Sequence, residues 1–232
     1  MSKKIYKPKR IIFFLFLFSF IFLVLKISLE KFLLNFSYFK IKEIEFINGE
    51  INLDHLRDNS IFSINLRKIS EYLLSKHPQF REIILNFQFP GRLSVQIKEH
   101  TAFAKLLLLY GQFPVDEEGR ILRKDIVSDL PEILGLQNKI ISPKFYETYT
   151  VPELLLSLDL IRMSPQKIKK IDATKKEDLT IFLDSGLRVK IGHRDYPERL
   201  KDLSLILEEL KISEDIDYID LRFSDPIIKY KK

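Results

Sequence analysis

One apolar run, Ile11 to Leu25, is interrupted only by Ser19, while every other apolar residue of the chain sits in a shorter or periodic pattern. Ile27 and Leu29 extend the run toward the roughly 20 residues a bilayer helix needs, and Lys26 can lift its ammonium to the headgroups while its methylenes stay in lipid. The pattern predicts a transmembrane helix over residues 11–29 and a short connector over 30–38. Beyond it the periodicity changes. Ile44 and Phe46 alternate with Glu43 and Glu45 as a half-buried strand, closed by an Asn48-Gly49 turn. Leu53 to Arg57 fits a helical turn. Leu66, Ile69 and Leu73 recur at helical spacing, widened by Tyr72 and Leu74, until Pro78 stops the helix. Ile83, Leu85, Phe87 and Phe89 then alternate with polar residues except at Ile84, Pro90-Gly91 turns the chain, and Leu93, Val95 and Ile97 return. A wet face and an apolar face in one hairpin imply a sheet covered by helices on one side.

A second, strand-richer unit follows from about Lys105. Asp116-Glu117-Glu118-Gly119 reads as a solvated turn between strand-like flanks. Thr150 and Glu153 have capping-box spacing ahead of Leu154, Leu155, Leu158 and Ile161, which share one helical face. Leu179, Ile181 and Leu183 form a strand, Asp184-Ser185-Gly186 turns it, and Leu187, Val189 and Ile191 come back. Asp195 and Glu198 repeat the capping-box spacing before the stripe Leu200, Leu203, Ile206, Leu207 and Leu210. Ile219, Leu221 and Phe223 alternate with Tyr218, Asp220 and Arg222 in a last long strand, and Pro226-Ile227-Ile228 follows.

Charge fixes the topology more than it names a ligand. Lys3, Lys4, Lys7, Lys9 and Arg10 precede the apolar run, and such a flank stays in the cytoplasm. A cleavable signal has similar charged and apolar regions but ends in small residues. Here Lys26, Glu30, Lys31, Phe32, Leu33 and Leu34 follow, so an uncleaved anchor is expected. Taking the five head residues from 38 Lys+Arg leaves 33 against 32 Asp+Glu. The basic balance therefore sits in the head, which argues against a nucleic-acid binder. The absence of cysteine excludes disulfides and thiolate metal sites.

A membrane-anchored hydrolase would need catalytic parts. His55, His77, His100 and His193 are scattered without HExxH or HxH spacing, and no G-x-S-x-G, S-x-x-K or P-loop occurs. The acidic run 116–118 offers too few oxygens for calcium. Asp220 and Arg222 share one strand face as a surface ion pair. No catalytic, cofactor or metal residue is nominated. The chain reads as a binding protein.

The layout resembles the FtsQ/DivIB family of bacterial cell-division proteins over nearly the full length. Ile61-Phe62-Ser63-Ile64 is similar to the family's lead into its second POTRA helix, and His77-Pro78-Gln79-Phe80 to its helix-ending stretch. Pro90-Gly91-Arg92-Leu93 with Val95, Ile97 and Glu99 resembles the family hairpin, while His100 stands where arginine is common. Ala102-Phe103-Ala104 resembles a following P-V-A that has lost its proline. Val115-Asp116-x-x-Gly119, Leu130-Pro131 and Val189-Lys190-Ile191-Gly192 resemble family turns and strand ends. The most specific match is Tyr218-Ile219-Asp220-Leu221-Arg222-Phe223, against a family Y-x-D-L-R-Y.

The resemblance implies an α+β chain with a cytoplasmic tail (1–10), a transmembrane helix (11–29), a linker (30–38), a POTRA domain of strand-helix-helix-strand-strand order (39–105) and a β domain with flanking helices (106–232). It implies a divisome scaffold in the inner membrane at the septum, with no enzymatic activity. Its partners would be small bitopic proteins, FtsB/DivIC-like and FtsL-like, with the septal peptidoglycan synthase pair FtsW and FtsI downstream. The expected partner site is the C-terminal strand region: Tyr218, Arg222, Phe223, Ser224, Ile227, Ile228 and Tyr230. Physically, an edge strand there offers unpaired backbone groups for strand addition. Arg222 would meet a carboxylate and Phe223 would anchor. The plainer alternative packs Ile227 inward and leaves Lys229 to Lys232 a frayed tail. The alternative function is an anchored extracytoplasmic scaffold or sensor unrelated to division, sharing only the POTRA-like piece.

Overall fold

A computed structural model describes residues 8–125, 129–192, 194–210 and 216–231. Lys3, Lys4 and Lys7 of the basic head, His193 and Lys232 lie outside the described residues. The chain is α+β and divides into two compact units, Met1–Glu99 and His100–Lys232.

The first unit opens with helix α1 (Pro8–Asn35). Its stretch Phe13–Asn35 is the one segment among the described residues long and apolar enough to cross a membrane, and none of it is buried. A helix apolar on every side, touched by the rest of its unit only near its C-terminal end, suits a lipid surround. Strands β1 (Glu43–Ile47), β2 (Phe80–Gln88) and β3 (Arg92–Glu99) then form a sheet with β3 in the centre, parallel to β1 and antiparallel to β2. Helix α2 (Leu66–Lys76) packs on β2. The Asn65 side chain accepts from the Lys68 N–H to start it, and His77-Pro78 ends it. The first of the two expected POTRA helices is reduced to 3-10 turns at Asp54–Leu56 and Ile61–Ser63, and Ile51, Leu53 and Leu56 turn into the core from that segment. Leu73, Ile83, Leu93, Val95 and Ile97 complete the core. Tyr72 was expected in the buried stripe of α2. It is exposed instead, with the Lys76 ammonium over its ring.

The second unit is one mixed sheet of eight strands with two helices. In chain order these are β4 (Ala104–Leu108), β5 (Gly111–Val115), β6 (Glu132–Leu134), α3 (Pro152–Met163), β7 (Ile168–Asp172), β8 (Thr180–Leu183), β9 (Arg188–Lys190), α4 (Tyr196–Leu210), β10 (Ile216–Asp220) and β11 (Ile227–Tyr230). Their spatial order is β11-β10-β9-β8-β7-β6-β4-β5. Ile133, Ile171, Ile181, Val189 and Ile219 meet Leu154, Leu158 and Leu160 of α3 and Leu200, Leu203 and Leu207 of α4 in one core. The hairpin β8–β9 forms where its alternation placed it. Strands β4, β6 and β7 were not expected. Lys105 to Leu109 shows no alternation, β6 has three residues, and the solvent face of β7 carries only Lys169 and Lys170 as its signal.

Two details correct the sequence reading. The start of α3 is capped at Val151 with no side-chain bond, and Pro152 opens its first turn, a position that suits proline's fixed φ. Thr150 is therefore not a cap, and Glu153 is buried in an ion pair with Lys139. Burial alone would raise the Glu153 pKa, but the bond from Lys139 holds it below the ordinary carboxylate value. The turn at Asp116 is not solvated either. Asp116 is buried, accepting at one oxygen from the Glu118 and Arg120 N–H groups and facing His100 Nδ1 with the other at 2.8 Å.

After β6 the chain needs a left-handed residue at Gly135, whose φ is +87°, and a Cβ there would collide with the Thr174 backbone. Gly135→Ala should therefore destabilise the protein by at least about 1–3 kcal/mol, read as a lowered urea midpoint of the detergent-solubilised chain. An unchanged midpoint would contradict this packing.

Candidate functional site

The eight-stranded sheet has two margins, and they differ. On β5 the proline Pro114 removes one ladder donor, and the following chain folds back over that margin. Leu122 N–H donates to Pro114 O at 2.8 Å, and Val115 bridges Ile121. Proline on an edge strand blocks pairing. The opposite margin is β11, which pairs antiparallel with β10 and has no other neighbouring strand among the described residues. Its interior has no proline. The outer row of β11 backbone groups is the open one.

The register decides which side chains this margin offers. Ile228 lies opposite Ile219 and packs, half-buried, against the core. Ile227 lies opposite Asp220 on the other face and is 49% exposed. Ile227 is thus the outward residue and Ile228 the inward one, and residues 229–230 belong to the strand rather than to a frayed tail. Tyr230, 52% exposed, faces Ile216 at the end of the ladder.

Around them the polar face of the sheet is cationic. The Tyr218 ring has Lys190 Nζ at 4.7 Å, Arg188 Cζ at 5.1 Å and Lys229 Nζ at 5.4 Å from its centroid. Asp217 draws Arg188 and Lys229 together, at 3.4 and 3.6 Å. Cations held over an aromatic face gain modestly each, about 0.5–1 kcal/mol when exposed. Arg188, Lys190 and Lys229 were not singled out from the sequence. The signal available was Arg188 and Lys190 two apart on one strand face, but the parallel pairing of β9 with β10 that sets them beside Tyr218 joins segments about thirty residues apart.

Arg222 has a different role from the one expected. Its Nε–H and Nη2–H donate to the two carboxylate oxygens of Asp220 at 2.9 and 2.7 Å, and its Nη1–H donates to Asp178 at 2.8 Å. This is no surface pair, since Asp220 is 4% exposed. Burial would raise the Asp220 pKa, but the Arg222 bonds more than offset it and hold the carboxyl below its ordinary value. Hydrogen bonding to Asp220 in turn raises the pKa of Arg222, against the cost of burial. Arg199 adds a donor to the Arg222 carbonyl at 3.4 Å and another to the Ile191 carbonyl. The loop after β10 is therefore tied to the segment before β8. Phe223 stands on it, 57% exposed, with Arg222 Cζ 5.8 Å from its ring centroid. Ser224 is exposed beside it. The structure thus gathers Tyr218, Phe223, Ser224, Ile227 and Tyr230 at one accessible margin, with Arg222 beneath and Ile228 facing inward.

Comparison with known proteins gives this margin a setting. The family description "Cell division protein FtsQ/DivIB, C-terminal" matches residues 108–222. Curated proteins called "Cell division protein FtsQ" are similar over more of the chain. That of Myxococcus fulvus is 26% identical over 147 residues, 60% of this chain and 51% of its own. That of Geobacter sp. strain M21 is 29% identical over 187 residues, 75% and 66%, and that of Geotalea daltonii 28% over 213 residues, 84% and 77%. The chain resembles the FtsQ/DivIB family.

The matches to the first two of these FtsQ relatives span about half and two thirds of their lengths. A solved extracytoplasmic domain of the division protein DivIB from Geobacillus stearothermophilus is also similar, at 17% identity and a TM-score of 0.32, over 49% of this chain and 96% of that one. That superposition is too loose to bear on the fold. The FtsQ/DivIB match ends at Arg222, so β11 lies beyond the matched residues.

Because Asp220 has a lower pKa folded than unfolded, its ion pair adds stability above the ordinary carboxylate pKa of about 4 and loses it as pH falls further. Asp220→Asn should lower stability by about 1–3 kcal/mol at pH 7, and the gap to the parent chain should narrow below about pH 4. Urea unfolding followed by circular dichroism at pH 7 and pH 3 checks both. A gap that stays constant with pH would refute the pair's contribution.

Proposed function

We propose that this chain is a non-enzymatic, single-pass cell-division protein whose second unit receives an extended segment of a small bitopic partner along β11. In this reading the basic head stays in the cytoplasm, α1 crosses the inner membrane, and both units work outside it at the septum. The domain limits are those of the family layout, with a POTRA domain over 39–105 and a β domain over 106–232. The partner is FtsB/DivIC-like, joined by an FtsL-like protein, and through them the chain controls septal peptidoglycan synthesis by FtsW and FtsI.

The observation carrying this reading is the asymmetry of the sheet: one margin blocked by Pro114 and its covering chain, the other open at β11. An added strand would complete the outer N–H and C=O groups of β11. Specificity would come from side chains beside that ladder. Ile227 and Phe223 supply apolar contact, and Arg188, Lys190 and Lys229 favour an acidic segment. Arg222 serves by holding Phe223 in place through Asp220 and Asp178.

Ile227→Asp and Phe223→Ala should each weaken binding of an FtsB-like partner segment by at least about tenfold, or about 1.4 kcal/mol, with unchanged urea midpoints. Ile228→Asp should instead unfold or destabilise the unit. Titration of the full chain in nanodiscs measures this, and undiminished affinity in both outward variants refutes the docking edge. A fluorescent fusion in growing cells should form midcell bands. A uniform envelope signal would favour a scaffold or sensor outside division.

A further inference from the structure

Where α1 ends, six aromatic rings from four separate stretches of the first unit gather. Phe32 lies on the last turn of α1 and Phe36 directly follows the helix, the two rings stacked at 5.1 Å between centroids. Phe36 continues to Phe39 at 5.8 Å, Phe39 to Phe62 at 5.1 Å, and Tyr38 stacks on Phe89 at 5.7 Å. Phe62 comes from the turn before α2, and Phe89 from the tip of the β2–β3 hairpin. The Ser60 hydroxyl donates to the Leu33 carbonyl at 3.3 Å, tying that turn to the helix end.

These rings touch one another, yet they do not bury one another. Phe62 is 55% and Phe89 58% exposed, and Phe32, Phe36 and Tyr38 are also exposed. A contiguous patch of large aromatics on an otherwise normal surface marks an interaction site. Its position names the occupant. Phe32 lies inside the apolar stretch that ends at Asn35, so the patch is continuous with the segment that meets lipid. Lys31, Lys40 and Lys42 sit among the rings in sequence, and aromatic rings edged by lysine suit the boundary between acyl chains and headgroups.

We propose that Phe36, Tyr38, Phe39, Phe62 and Phe89 form a collar that beds the first unit into the outer lipid interface of the membrane crossed by α1. The inference rests on the single-pass reading above. The collar holds the three-stranded domain at a fixed height and orientation on the bilayer, so that it does not swing freely on α1.

The chain has no tryptophan, so single tryptophans report position directly. The full chain carrying Phe62→Trp or Phe89→Trp is reconstituted into phosphatidylcholine/phosphatidylglycerol vesicles containing lipids brominated at known acyl depths. Phe20→Trp, inside the span, and Tyr110→Trp, exposed on the second unit, serve as references. Both collar reporters should emit to the blue of Tyr110→Trp and lose at least about half their intensity to shallow bromines, while Phe20→Trp responds to deep ones. Collar reporters that match Tyr110→Trp, with Phe20→Trp quenched, overturn the collar and leave the anchor standing. Blue-shifted collar emission without bromine quenching overturns it too, and points to a second copy of the chain. An unquenched Phe20→Trp removes the anchor and the collar together.

Discussion

The guanidinium of Arg222 holds the end of the second unit's sheet in register. Strand β10 ends at Asp220, and the chain must then reverse through an exposed loop to lay down β11. Leu221 is buried at the start of that loop, but Phe223, Ser224, Asp225 and Pro226 are all exposed and no apolar contact holds them in the core. The bidentate contact to Asp220 and the third bond to Asp178 supply the constraint instead. A buried carboxylate without such a partner is strongly destabilising, so the pair secures the turn that leads into the last strand. Gly192 belongs to the same arrangement. At its φ of +75°, a Cβ would press on Arg199 and the Arg222 stem.

Much of this was legible in the chain, and the legible parts share a physical cause. Where one face is buried and the other wet, the sequence alternates, and the hairpins β2–β3 and β8–β9 were readable for that reason. Helices α2, α3 and α4 showed their apolar stripes in the same way. Elements covered on both faces, or too short to show a period, were hidden. Strands β4 and β6 are of that kind, and they meet their neighbours through parallel pairing that no local pattern records. Burial of charge was hidden too. His100 and Asp116, sixteen positions apart, read as a substituted arginine and a solvated turn, yet they form one buried contact.

The candidate site was legible by kind and less so by orientation. The motif from Tyr218 to Phe223 lies beside the open margin, and Ile227-Ile228 announced a strand with one residue on each face. Which isoleucine faced outward depended on the β10–β11 register, and a one-residue slip exchanges the two. The role of Arg222 depended on Asp178, which lies 44 positions away. The lysines and arginine around Tyr218 became neighbours only through the sheet.

The unlike margins of that sheet also bear on stoichiometry. Head-to-tail growth into a fibre needs two free borders per molecule. With Pro114 and the folded-back chain at one border, this sheet has a single vacancy among the described residues. Added chains therefore stop at one: either a foreign segment occupies it, or two copies meet there face to face and neither can extend further.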